Sequence, residues 1–142
     1  MQDNPEQGPI AGLTPHLVIR GGRAVEAIDF YVRAFGATEQ IRMPADDGKR
    51  LMHAHLVVNG ASLMLNDDFP EYCGGVETSD PAGVTMHLQV EDADQWFERA
   101  VAAGATVSMP LDNMFWGDRY GQLRDPFGHS WSIGAPVKEG GQ

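Results

Sequence analysis

Phe35-Gly36-Ala37-Thr38 and Ala103-Gly104-Ala105-Thr106 are the stretches whose reading decides the fold of this chain. They share Gly-Ala-Thr at a separation of 68 residues, and Gly60-Ala61-Ser62 has a counterpart at the same separation in Gly128-His129-Ser130. One offset recurring in two places indicates a duplicated unit. Upstream of the first stretch, Leu13 to Arg20 reads as a strand, and Ala24, Ala27, Ile28, Tyr31 and Phe35 then fall at helical spacing, with Gly36 placed to end the helix. Upstream of the second, Val84 to Val90 reads as a strand and Ala93, Trp96, Phe97, Ala100 and Val101 as a helical stripe. There Asp92 and Gln95 resemble a capping box, and Gly104 supplies the stop.

Downstream, each copy continues as β-rich sequence. The first has Thr38 to Met43, a turn at Asp46-Asp47-Gly48, Arg50 to Val58, a tight Asn59-Gly60 turn, and Ala61 to Asn66. The second has Thr106 to Met109, a longer loop, Arg119 to Arg124, the turn Asp125-Pro126-Phe127-Gly128, and His129 to Gly134. The expected class is α+β, with two tandem βαβββ modules. Residues 1–12 are an N-terminal tail, 13–67 and 82–136 the modules, 68–81 an acidic Gly/Pro-rich linker, and 137–142 a C-terminal tail.

Composition bounds the partners. The chain has 142 residues, 42% of them apolar, so a single domain's worth of sequence can bury roughly two-thirds of its unfolded surface. Ten Lys and Arg oppose 20 Asp and Glu for a net charge of -10, with no basic run, which argues against nucleic acid and anionic membrane surfaces. No apolar stretch reaches membrane-spanning length, and Met1 to Glu6 lacks a signal peptide's pattern, so the expected location is cytoplasmic. The single cysteine, Cys73, reads as a loop residue with nothing nearby to activate it.

Strand alternation sorts the polar residues. If a helix covers one face of each sheet, Leu17, Ile19, Met52, Ala54, Leu56, Val58, Leu63 and Leu65 belong to the helix side, with Met86, Leu88, Val90, Trp131 and Ile133 in the second copy. The opposite faces then collect His16, Arg20, His53, His55, Ser62, Met64, Asn66, Thr85, His87, Gln89, Ser130 and Ser132. A plain solvated face would carry Lys and Glu, so these faces read as a polar cleft for a small organic molecule. Trp116 and Tyr120, with Phe115, can stack a planar ligand while Asp118 and Arg119 fix its polar edge; alternatively Trp116 plugs the cleft and Asp118 and Arg119 pair locally. Trp96 and Trp131 read as core, and Met43, Met52, Met86, Met109 and Met114 as gap-filling residues.

The set His16, Ala27-Ile28-Asp29-Phe30-Tyr31, Phe35-Gly36-Ala37, Val90-Glu91-Asp92-Ala93, Ala102-Ala103-Gly104-Ala105 and Asp125-Pro126-Phe127-Gly128-His129 resembles the vicinal oxygen chelate superfamily, which includes glyoxalase I, bleomycin- and fosfomycin-resistance proteins and extradiol dioxygenases. Phe115-Trp116-Gly117-Asp118-Arg119-Tyr120-Gly121 with Trp131 is similar to its PhnB-like branch. The resemblance implies open half-barrel sheets around a cleft, pairing as a homodimer, and a divalent metal held by four residues that correspond to His16, Met64, Thr85 and Ser132. Only His16 is a good donor for such a metal, so the usual site reads as lost. The leading expectation is therefore a protein that binds or sequesters an organic metabolite or drug with no cofactor. The alternative is a metal-dependent lyase or dioxygenase using a divalent metal at a rearranged site from His16, His53, His55 and His87.

Overall fold

A computed structural model describes residues 8–138. Its elements run β1 (His16–Ile19), a 3-10 turn (Arg20–Gly22), α1 (Ala24–Phe35), β2 (Thr38–Pro44), β3 (Leu51–Val58), β4 (Ala61–Asp67), a second 3-10 turn (Pro70–Tyr72), β5 (Thr85–Gln89), α2 (Ala93–Ala103), β6 (Thr106–Asn113), β7 (Asp118–Arg124) and β8 (Ser130–Pro136). The chain divides into two compact units. The first ends at Ser79 and the second begins at Asp80, except that Arg33–Phe35 group with the second. Among the described residues no helix is long and apolar enough to cross a membrane. Parts of the expected tails, residues 1–7 and 139–142, lie outside the described residues, as does the stretch read for a signal peptide.

In the first unit the strand order is β1-β4-β3-β2, with β1 parallel to β4 and the other pairs antiparallel. Asn59 (φ 49°) and Gly60 (φ 81°) make the β3–β4 turn, where two consecutive left-handed residues match the twist of a two-residue hairpin. Gly36 (φ 68°) ends α1, its N–H turning back to the carbonyls of the last helical turn. The start of α1 has no cap of its own, because Arg23 precedes it without a capping hydrogen bond. A distant residue does the capping. Asp67, fully buried at the end of β4, accepts from Ala24 N at 2.9 Å and Leu51 N at 2.7 Å.

The second unit repeats the pattern as β5-β8-β7-β6, with β5 parallel to β8. Asp92 caps α2 by accepting from Gln95 N at 3.1 Å. The β7–β8 turn is organised by buried Asp125, whose carboxylate accepts from Phe127 N, His129 N and the Trp131 indole at 2.8 to 3.0 Å. At Gly121 an added Cβ would lie 2.8 Å from the Phe97 ring and 3.0 Å from the Leu111 N and Met109 O backbone atoms, so α2 packs on β7 only because that side chain is absent.

The alternation reading is right for most of the buried set, including Leu17, Ile19, Ala54, Leu56, Leu63, Leu65, Leu88, Trp131 and Ile133. Met52 is the exception: it is 60% exposed, and Leu51 is buried in its place. The register shift between Met43 and Pro44 resets the alternation at the start of β3. Met43 and Met109 are exposed, not gap-filling, because register puts them beside His53 and Gln122 on the polar faces. On α2 only Ala93, Phe97 and Ala100 are buried, leaving Trp96 half-buried and Val101 exposed, so the apolar stripe is narrower than its sequence. The linker is folded on itself and tied to the first module: Asp68 accepts from Thr78 N and Oγ1 at 2.8 Å within it, while Arg50, just before β3, holds Glu71 at 2.6 Å and Asp47 at 2.7 Å and lies over the Phe69 ring.

Candidate functional site

Each sheet turns one polar face away from its buried side. In the first unit, register lines up His16, Met64, His55 and Ile41 across β1, β4, β3 and β2. The exposed His16 ring hydrogen-bonds through Nε2 to Asn66 Oδ1, and Asn66 Nδ2 donates to the Asp67 carbonyl at 2.6 Å. His55 is 1% exposed; its Nε2 lies 2.9 Å from Ser62 Oγ, and its Nδ1 is buried without a hydrogen-bond partner. His53 is half-buried, and burial, then the neighbouring His16 and His55, pull its pKa below the ordinary imidazole value of 6.5, so the ring is neutral at pH 7. Arg20 is half-buried just beyond β1, in the 3-10 turn.

In the second unit the face centres on His87. Its Nδ1 lies 2.7 Å from Ser132 Oγ and its Nε2 2.7 Å from Gln89 Oε1. With the Gln89 carbonyl accepting, Nε2 carries the proton and Nδ1 accepts from the serine hydroxyl. The ring stacks on Tyr120, with centroids 5.8 Å apart and planes at 21°. It also fills the space over Gly134, where an added Cβ would meet His87 Cε1 at 2.9 Å. A serine, a glutamine, a tyrosine and a missing side chain thus hold one imidazole flat on the sheet. Trp116 sets its edge on Tyr120 at 5.7 Å, Phe115 sets its own on Trp116, and the Trp116 indole N–H donates to Asp118 at 3.2 Å. Phe115 is 97% exposed, so an apolar surface borders this face.

Of the expected residues, the structure brings His16, His53, His55 and Met64 together on the first face, and Thr85, His87, Gln89, Tyr120 and Ser132 on the second, bordered by Trp116. Arg119 is placed elsewhere. Its guanidinium pairs with Asp94 at 2.9 and 3.0 Å and with Asn113 at 3.1 Å, and Asp94 is held below the usual carboxylate range chiefly by that hydrogen bond. It pairs with α2 and does not pair with Asp118. Ser132 stands opposite His87 in register, whereas Thr85 stands opposite Ser130 and is 3.0 Å from its hydroxyl. Among the described residues, no group of three or more His, Cys, Asp or Glu is arranged to hold a metal ion. The four places implied by the resemblance offer one imidazole, one thioether and two hydroxyls already hydrogen-bonded, a set that does not fit a divalent metal.

Three residues of the second face were not singled out from sequence. Gln122, opposite Ser132, donates to Tyr120 Oη at 3.1 Å. Arg124 shares the face at the β7–β8 turn and donates to Gly128 O. Gly134 makes room for His87. The parity of β7 held the signal for Gln122 and Arg124, since both lie an even number of residues from Tyr120.

Residues 14–133 match the sequence profile of the glyoxalase/bleomycin resistance protein/dioxygenase superfamily. An uncharacterised protein of Mycobacterium bovis is 53% identical over 131 residues, spanning 89% of this chain and 84% of that protein. The structure of protein PA1353 from Pseudomonas aeruginosa is similar at TM-score 0.75 and 28% identity, over 91% of this chain and 100% of that one. The PhnB protein of Bacillus cereus, at 24% identity and TM-score 0.69 over 88% and 99% of the two chains, shares the fold. With two βαβββ units and a profile match over residues 14–133, the chain belongs to the glyoxalase/bleomycin resistance protein/dioxygenase superfamily.

Proposed function

We propose that this protein binds a small organic molecule on its polar sheet faces and does so without the divalent metal used elsewhere in its superfamily. The observation that carries the reading is the donor set at the four metal places. Met64 offers a soft thioether, Thr85 and Ser132 spend their hydroxyls on Ser130 and His87, and His16 bonds Asn66. In place of a metal's Lewis acidity the second face offers fixed donors and acceptors beside aromatic rings, which suits recognition by stacking and hydrogen bonding. A net charge of -10 favours the approach of neutral or cationic compounds over anionic ones. Pairing as a homodimer belongs to the same proposal.

A thermal-shift screen of metabolites and antibiotics, run with and without chelator, tests it. A bound compound at a hundred times its Kd should stabilise the protein by about 2.7 kcal/mol, and the shift should survive the chelator. A response that disappears with chelator would favour the second reading, a metal-dependent lyase or dioxygenase using a rearranged histidine site. That reading draws on His16, His53 and His55 sharing one sheet face, where the first and last help to lower the His53 pKa.

A further inference from the structure

His55 sits in the middle of an open polar face, yet it is 1% exposed, whereas Met64, Ile41, Val57 and His53 around it are half-exposed and His16 is exposed. Gly8, ahead of β1, lies next to it. Gly8 is buried, and a Cβ built on it would lie 4.0 Å from His55 Nδ1. We propose that the segment Gly8–Gly12 is a movable strap that closes over His55 and, when it lifts, exposes Nδ1 as a further polar contact for a ligand on the first face.

Three observations indicate that the strap is poised to move. It covers His55 Nδ1 without supplying a hydrogen bond, and such burial is unfavourable relative to exposure to water or to a ligand's polar atom. Its apolar side chains hold it weakly: Ile10 is 53% exposed and Leu13, just beyond it, 99%. It is bracketed by two glycines in the left-handed region, Gly8 at φ 78° and Gly12 at φ 83°, where a side chain would be strained. A ligand that satisfies Nδ1 would therefore compete with Gly8 for the same place. The chemistry required of it is a hydrogen-bonding group, because Nδ1 is the buried polar atom left without a partner.

The strap's role in ligand access rests on the proposed binding reading, but the strap itself is tested with no ligand present. Diethyl pyrocarbonate modification of the full chain near pH 7, read residue by residue by mass spectrometry, should label His55 at least tenfold more slowly than His53. Gly8→Val strains the covering residue directly. Gly12→Val strains the far end of the strap, at a position where an added Cβ meets nothing within 4 Å. Either variant, provided it retains the parent circular-dichroism spectrum, should raise His55 labelling several-fold and leave His53 unchanged. His55 labelled as fast as His53 in the parent, or unchanged in both folded variants, would overturn the strap. A protein with the strap but no ligand response in the thermal screen would overturn only the binding reading.

Discussion

Gly134→Ala tests the arrangement at the centre of the second face. The backbone at Gly134 is not left-handed, so the alanine adds steric volume and no conformational strain. Its methyl would stand 2.9 Å from His87 Cε1, 3.3 Å from Nε2 and 3.4 Å from Gln89 Oε1, and the imidazole must tilt away. The tilt breaks the 2.7 Å contact with Ser132, whose hydroxyl lies in a residue only 1% exposed. Leaving that hydroxyl without a partner costs about 1–3 kcal/mol, and losing the parallel contact with Tyr120 about 0.5–1 kcal/mol more. Against this, alanine in a strand recovers about 0.5 kcal/mol over glycine. The net is a loss of about 2 kcal/mol, measurable by equilibrium denaturation with guanidinium. A double-mutant cycle isolates the cause: in a His87→Ala background the same glycine substitution should be close to neutral, because nothing then occupies the space. Nitrogen NMR of the imidazole should also show His87 losing its fixed Nε2–H tautomer in Gly134→Ala. Stability within about 0.5 kcal/mol of the parent with an unchanged imidazole spectrum would refute the reasoning, as would an equal loss in the His87→Ala background.

Other outcomes follow from the same contacts. Asp67→Ala leaves the buried N–H groups of Ala24 and Leu51 without their acceptor and should destabilise the protein by about 3 kcal/mol, with Asp67→Asn milder because one oxygen still accepts; guanidinium denaturation reads both. Gly121→Ala places a methyl against Phe97 and two backbone atoms that cannot rotate away, and should cost about 1–3 kcal/mol on the same measurement. His53 should titrate below 6.5 in proton NMR, and His16→Ala should move it part of the way back. Because the folded pKa is depressed, the unfolded chain takes up the proton first. This group's contribution to stability is therefore complete above pH 6.5 and is lost as pH falls through its folded value, and His53→Gln should flatten that limb.

How much of this was legible in the sequence depends on whether a residue's partner is near it in the chain. Helix stops at Gly36 and Gly104, the cap at Asp92 and the turn at Asn59-Gly60 use neighbours, and each is where local pattern puts it. Alternation carried the histidines to the correct faces because parity is a local property. Asp67 is different. It looks like the first residue of an acidic linker, and only folding brings it to Ala24, 43 positions earlier. Arg119 was legible only in part: next to Tyr120 in a strand it points to the other face, and its partner Asp94 lies 25 positions away. Met52 could not be placed, because the register shift that exposes it is set by the partner strand.

The most direct test of metal-independent binding is elemental analysis of the purified protein after exposure to Zn, Ni, Mn and Fe salts, paired with the same measurement on His16→Ala. The donor set at His16, Met64, Thr85 and Ser132 leads to the expectation of far less than one transition-metal ion per chain, unchanged by the substitution and by chelator. One ion per chain that is lost in His16→Ala would contradict it and restore a metal to this site.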